Sequence, residues 1–69
     1  MTLATLVQGE TISQEKFNLF AQAYEVSEDE YNTPNWLLFD FKEWHPNKWE
    51  NFAELINNQD GTYFINYIA

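Results

Sequence analysis

The sequence predicts a small α+β domain: about three short strands in an antiparallel or mixed sheet with two amphipathic helices, in the order β-α-β-α-β. Three observations carry this expectation. They are two apolar stripes at helical spacing, two short runs rich in aromatic and β-branched residues, and a cluster of turn residues ahead of the second run. The 69 residues are expected to form one globular domain over positions 1–69, near the size below which a core needs disulfides or metal to hold it.

Residues 2–8 carry Leu3, Leu6 and Val7 among threonines and end at Gly9, which reads as a first strand. Thr11 or Ser13 then stands at the start of a helix in which Phe17, Phe20, Ala21 and Tyr24 fall at i, i+3, i+4 and i+7, one apolar stripe. Ser27 and Glu30 form a second capping box, which Pro34 limits to about one turn, so residues 27–35 read as a turn or short helix. Trp36–Phe41 (WLLFDF) is short and almost wholly apolar, the pattern of a buried strand. Pro46 sits where a first helical residue often falls, and Trp49, Phe52, Ala53 and Ile56 repeat the stripe, predicting a second helix over 47–57. Residues 57–61 (NNQDG) are turn chemistry, and Thr62–Ile68 (TYFINYI) closes the chain as a strand.

Composition narrows the function. With no Cys there is no disulfide and no thiolate metal site, which fits a cytoplasmic protein. Six Phe, four Tyr and three Trp supply the core area that a short chain needs. No basic and apolar leader and no bilayer-length window occurs, so a soluble protein is expected. Eleven carboxylates stand against three Lys and no Arg, a formal net charge of -8. Such a chain is repelled by phosphates, which disfavours direct binding of nucleic acid or an anionic membrane.

Catalytic chemistry finds few residues. His45 is the sole histidine, no nucleophile lies near it, and Ser13 and Ser27 occupy helix-start positions, so an enzyme is not expected. Gly9 and Gly61 are the only glycines, too few for a phosphate-cradling loop, and no cofactor is expected. Asn58, Asp60 and Gly61 faintly match a calcium loop, but its first and last ligand positions would fall on Ile56 and Tyr67, so no metal is expected either. Glu50 and Glu54 read as a solvated face of the second helix.

The densest acidic feature is Glu25, Glu28, Asp29 and Glu30, with no basic residue between Phe17 and Phe41. If the first helix extends to Glu28, then Glu25, Glu28 and Asp29 share a face at about 5–6 Å, near phosphate spacing. Phe17, Phe20, Tyr24, Phe39, Trp49, Phe52 and Phe64 fit core positions, which leaves Tyr31, Trp36, Trp44, Tyr63 and Tyr67 for contacts. The partner-binding candidates are therefore Glu25, Glu28, Asp29, Glu30, Tyr31, Trp36 and Trp44.

Residues 14–31, QEKFNLFAQAYEVSEDEY, resemble the first two helices of helix-turn-helix repressors over about a quarter of the chain. Glu25 stands where that pattern has a turn glycine, and Glu28-Asp29-Glu30 would set carboxylates against phosphates, so the resemblance does not imply DNA binding. In general character the chain is similar to small phage or mobile-element proteins that inhibit host enzymes by mimicking DNA, of anti-restriction or anti-CRISPR type. The expectation is a non-enzymatic inhibitor or regulator that occupies a basic groove of a host nucleic-acid-handling or defence protein. The alternative is a small interaction module or subunit that docks through an aromatic patch or a sheet edge, with homodimers formed through an edge such as Thr62–Ile68.

Overall fold

The computed structural model of the protein describes residues 3–28, 36–46 and 50–69, apart from the Ala4 side chain. A 3-10 turn at Leu3–Thr5 is followed by β1 (Thr11–Ser13), α1 (Gln14–Ala23), β2 (Tyr24–Glu28), β3 (Trp36–Phe41), β4 (Ala53–Asn57) and β5 (Thr62–Ile68). The strands form one five-stranded sheet in the order β1-β5-β4-β3-β2. Every neighbouring pair is antiparallel. The expected β-α-β-α-β order with three strands and two helices is therefore wrong: among the described residues there is one α-helix, and the sheet has five strands.

The helix forms where its stripe and cap predict it. The Ser13 hydroxyl accepts from the Lys16 backbone N–H at 3.1 Å, satisfying one of the donors left free at a helix start. Phe20 is fully buried and Phe17 and Ala21 pack beside it, so the stripe is the face turned to the sheet. At the far end Tyr24 leaves helical geometry at once, with φ -124 and ψ 154. The Lys42 ammonium meets the last turn there, donating to the Gln22 carbonyl at 2.7 Å. Ser13 thus closes β1 and caps α1, and Tyr24 ends α1 and opens β2, with no linker at either end. Because β1 and β2 are the two opposite edges of the sheet, this helix of about 15 Å has to cross the sheet, and in crossing it covers one face.

The core lies under it. Ile12, Phe39, Ala53, Leu55, Tyr63 and Ile65 are buried from the sheet, with Leu3 and Leu6 from the N-terminal turn. Phe17 stacks on Tyr63 at 3.8 Å, and the Tyr63 hydroxyl donates to Gln14 Oε1, tying helix to sheet. Leu3 is held by its backbone N–H, which donates to the Tyr24 hydroxyl at 3.2 Å.

Four local expectations fail for physical reasons. Residues 3–8, the described part of the expected first strand, do not form one: Leu3 and Leu6, three apart, follow a 3-10 turn at Leu3–Thr5 that brings both into the core. The helix expected over 47–57 gives way to β4 in its C-terminal part, because Ala53 and Leu55, two apart, are both fully buried and pair with β3 and β5. Trp49 lies outside the described residues. Tyr24–Glu28 is a strand, so Ser27 caps no helix, α1 does not extend to Glu28, and no helix opens at Val26 and Ser27 as the helix-turn-helix resemblance implies; the rest of the turn or short helix expected over 27–35 lies outside the described residues. The Thr62–Ile68 segment is also no edge: it lies between β1 and β4.

Candidate functional site

Strand alternation decides which residues face away from α1. On β3 these are Trp36, Leu38 and Asp40, because Phe39 is in the core. The register carries the assignment across the sheet. Trp36 lies opposite Ile56, Ile56 opposite Phe64 and Phe64 opposite Thr11, one continuous row over four strands. In the next row Ser27 is opposite Leu38, Leu38 opposite Glu54 and Glu54 opposite Tyr67. In the third, Glu25 faces Asp40.

The second row contains a bulge. Glu54 pairs with Tyr67 and Leu55 with Ile65, so Asn66 is the extra residue. Its amide donates to Glu54 Oε1 at 3.0 Å, fixing that carboxylate on the face. The bulge also leaves Tyr67 47% exposed while Ile68 returns to the core side. Phe52, just ahead of β4, packs its ring 5.9 Å from that of Tyr67.

The result is a sheet face with an apolar ridge, Trp36, Ile56 and Phe64, continued by Leu38, Tyr67 and Phe52. Beside it runs an acidic diagonal, Glu54, Asp40 and Glu25. Directly opposed residues have Cβ atoms about 5 Å apart and diagonal neighbours roughly 7–8 Å, so Glu25 and Asp40 stand directly opposite each other and Glu54 is one step further. Asp40 also accepts from the Phe41 backbone N–H at 2.8 Å. The two described lysines serve elsewhere: Lys16 pairs with Glu10 at 3.7 Å and Lys42 holds the end of α1.

The residues singled out from the sequence are scattered by the fold. Glu25 is exposed on β2 and belongs to the acidic diagonal; Glu28 is exposed at the end of the same strand, opposite Leu37 and so on the helix side. A shared helical face at phosphate spacing is thereby excluded for these two. Asp29, Glu30 and Tyr31 lie outside the described residues. Trp36 starts the ridge and is half-buried, whereas Trp44, in the segment after β3, is 83% exposed.

The sequence reading passes over Asp40, sets Glu54 on a solvated helix face where the structure has a strand, and misses the parity of β5. Tyr63 is buried and Phe64 half-buried, the reverse of their expected roles. A signal was present: Asp40 is the lone carboxylate in WLLFDF and alternates with Trp36 and Leu38.

Among the described residues no group of three His, Asp or Glu side chains is placed to hold a metal ion, and no helix is long and apolar enough to cross a membrane. No protein-family model, curated protein or solved structure matches the chain.

Proposed function

We propose that this chain is a non-enzymatic, acidic binding protein that occupies a basic groove of a nucleic-acid-handling protein, in place of the nucleic acid. The observation that carries the reading is the charge, -8 with no Arg. Glu15, Glu25, Glu28, Glu43, Glu50 and Asp60 are exposed, while Lys16 and Lys42 are engaged internally. A field of one sign over so small a body draws it to a basic cleft and makes the attachment sensitive to salt. The test is affinity capture from the native host's lysate over a salt series. The captured protein should bind nucleic acid, release it to the acidic chain in competition, and be lost as salt rises past the range where Debye screening shortens to about 8 Å. A partner that binds no nucleic acid, or holds equally well at high salt, sinks the reading.

A second reading is favoured by one observation, the 83% exposure of Trp44. Here the chain is an interaction module whose affinity comes from an aromatic anchor, with the acids serving solubility. Trp44→Ala then removes binding and Glu25→Lys with Glu28→Lys leaves it nearly intact; the first reading requires the opposite.

A further inference from the structure

The face of the sheet turned away from α1 has both an apolar and an electrostatic character, and together they define what fits it. Trp36, Leu38, Ile56 and Phe64 are half-buried there, with no described secondary-structure element packed over them as α1 packs over the opposite face. The charged residues that strand register places on this face are Glu25, Asp40 and Glu54, all negative. Two of them, Glu25 and Asp40, oppose each other across β2 and β3.

We propose that this face, which no described secondary-structure element covers, is the docking surface, and that its occupant is a basic, apolar segment of a protein partner. Aliphatic side chains of the segment cover the Trp36, Ile56 and Phe64 ridge, and its Lys or Arg side chains meet Glu54 and Glu25. Charge selects this occupant over a second copy of the chain. Two copies face to face would oppose the same three carboxylates to one another and bring together two bodies of -8 each. The row from Thr11 to Trp36 crosses four strands, about 14 Å at a strand spacing near 4.8 Å, enough for one helix or one extended segment. This inference rests on the reading of the chain as a binder of basic protein surfaces and assigns that binding to one face.

The experiment uses the full chain, isotope-labelled, titrated with a short synthetic amphipathic peptide of Leu and Arg and followed by NMR. Shifts should concentrate on Trp36, Leu38, Ile56, Phe64 and Glu54, leaving Leu55 and Ile65 nearly still. A peptide with Ser for Leu should bind about tenfold more weakly through loss of apolar cover, and one with Glu for Arg should not bind. Glu25→Lys should weaken the Leu and Arg peptide about fivefold, while Glu15→Lys, the same charge change on the exposed side of α1, should alter it less than about twofold.

Equal losses from Glu25→Lys and Glu15→Lys, or shifts centred on α1, would show attraction to overall charge alone. That overturns the docking face and leaves the acidic-binder reading to the capture experiment. Absence of peptide binding overturns the docking face as well, and so does a face-to-face dimer that buries Trp36 in sedimentation and fluorescence measurements.

Discussion

On the helix side of the sheet Phe39, Leu55 and Ile65 are shut off from solvent, whereas Leu38, Ile56 and Phe64, one residue away on the same strands, are only half-buried. The strands are common to both faces, so the difference comes from what lies on them. A helix of ten residues joins opposite edges of the sheet and covers one side. The other side keeps an apolar ridge that would invite self-association in a neutral protein. Carboxylates on and around that ridge set like charge against like when two copies meet, so the charge guards the face.

The sharpest way to break this contrast is to truncate one side chain on each face. Phe39→Ala should cost about 3–5 kcal/mol in denaturant unfolding, as expected for a large apolar side chain removed from a packed core. At roughly 0.05–0.15 kcal/mol per residue a chain of this length holds about 3–10 kcal/mol in all, so the variant should lose a large share of its stability. Leu38→Ala, its neighbour on the open side, should cost about 1 kcal/mol. Equal costs would mean that the face described as open is covered.

Much of the covered face is legible in the sequence, and the open face is not. Phe17, Phe20, Ala21 and Tyr24 announce α1 because ten residues of helix repeat the stripe long enough to exclude another period. WLLFDF and TYFINYI announce β3 and β5 by composition. Residues 53–57, AELIN, are too few to choose: Phe52, Ala53 and Ile56 fit a helical stripe, and Ala53 with Leu55 fits a strand. Pairing with β3 and β5, distant in sequence, decides the matter. The acids of β2 read as a helix extension, yet a strand at a sheet edge is exposed enough to carry them. The site failed with the register: Glu54 and Asp40 are neighbours only because β3 and β4 align as they do.

A smaller effect sharpens the electrostatic half of the contrast. Glu25→Lys changes the Glu25 and Asp40 opposition into an opposite-charge pair and should stabilise the free protein by about 0.2–1 kcal/mol at low salt. Added salt should erase most of that gain. Glu15→Lys changes the net charge equally but removes an acid from the first turn of α1, where it favours the helix dipole, so a small loss is expected instead. Matching gains from both variants would show that relief of overall repulsion, and not the opposed pair, is responsible.

The smallest effect concerns the turn that keeps the two faces distinct. The β4 to β5 hairpin closes through Asn58, whose backbone N–H donates to the Thr62 carbonyl, and through Gly61 at φ +87, a conformation a side chain would strain. Asp60 accepts from the Thr62 hydroxyl and from the Thr62 backbone N–H, and these bonds hold its carboxyl below the usual carboxylate range. A depressed folded-state pKa gives stability that is present above the unfolded value near 3.9 and is lost as pH falls through the lower folded value. Acidification through that window should therefore loosen the hairpin, seen as weakening contacts between Leu55 and Ile65, and Asp60→Asn should remove this part of the pH dependence. Should the Asp60 carboxyl titrate at an ordinary value while the hairpin still loosens in acid, another carboxylate must hold the register.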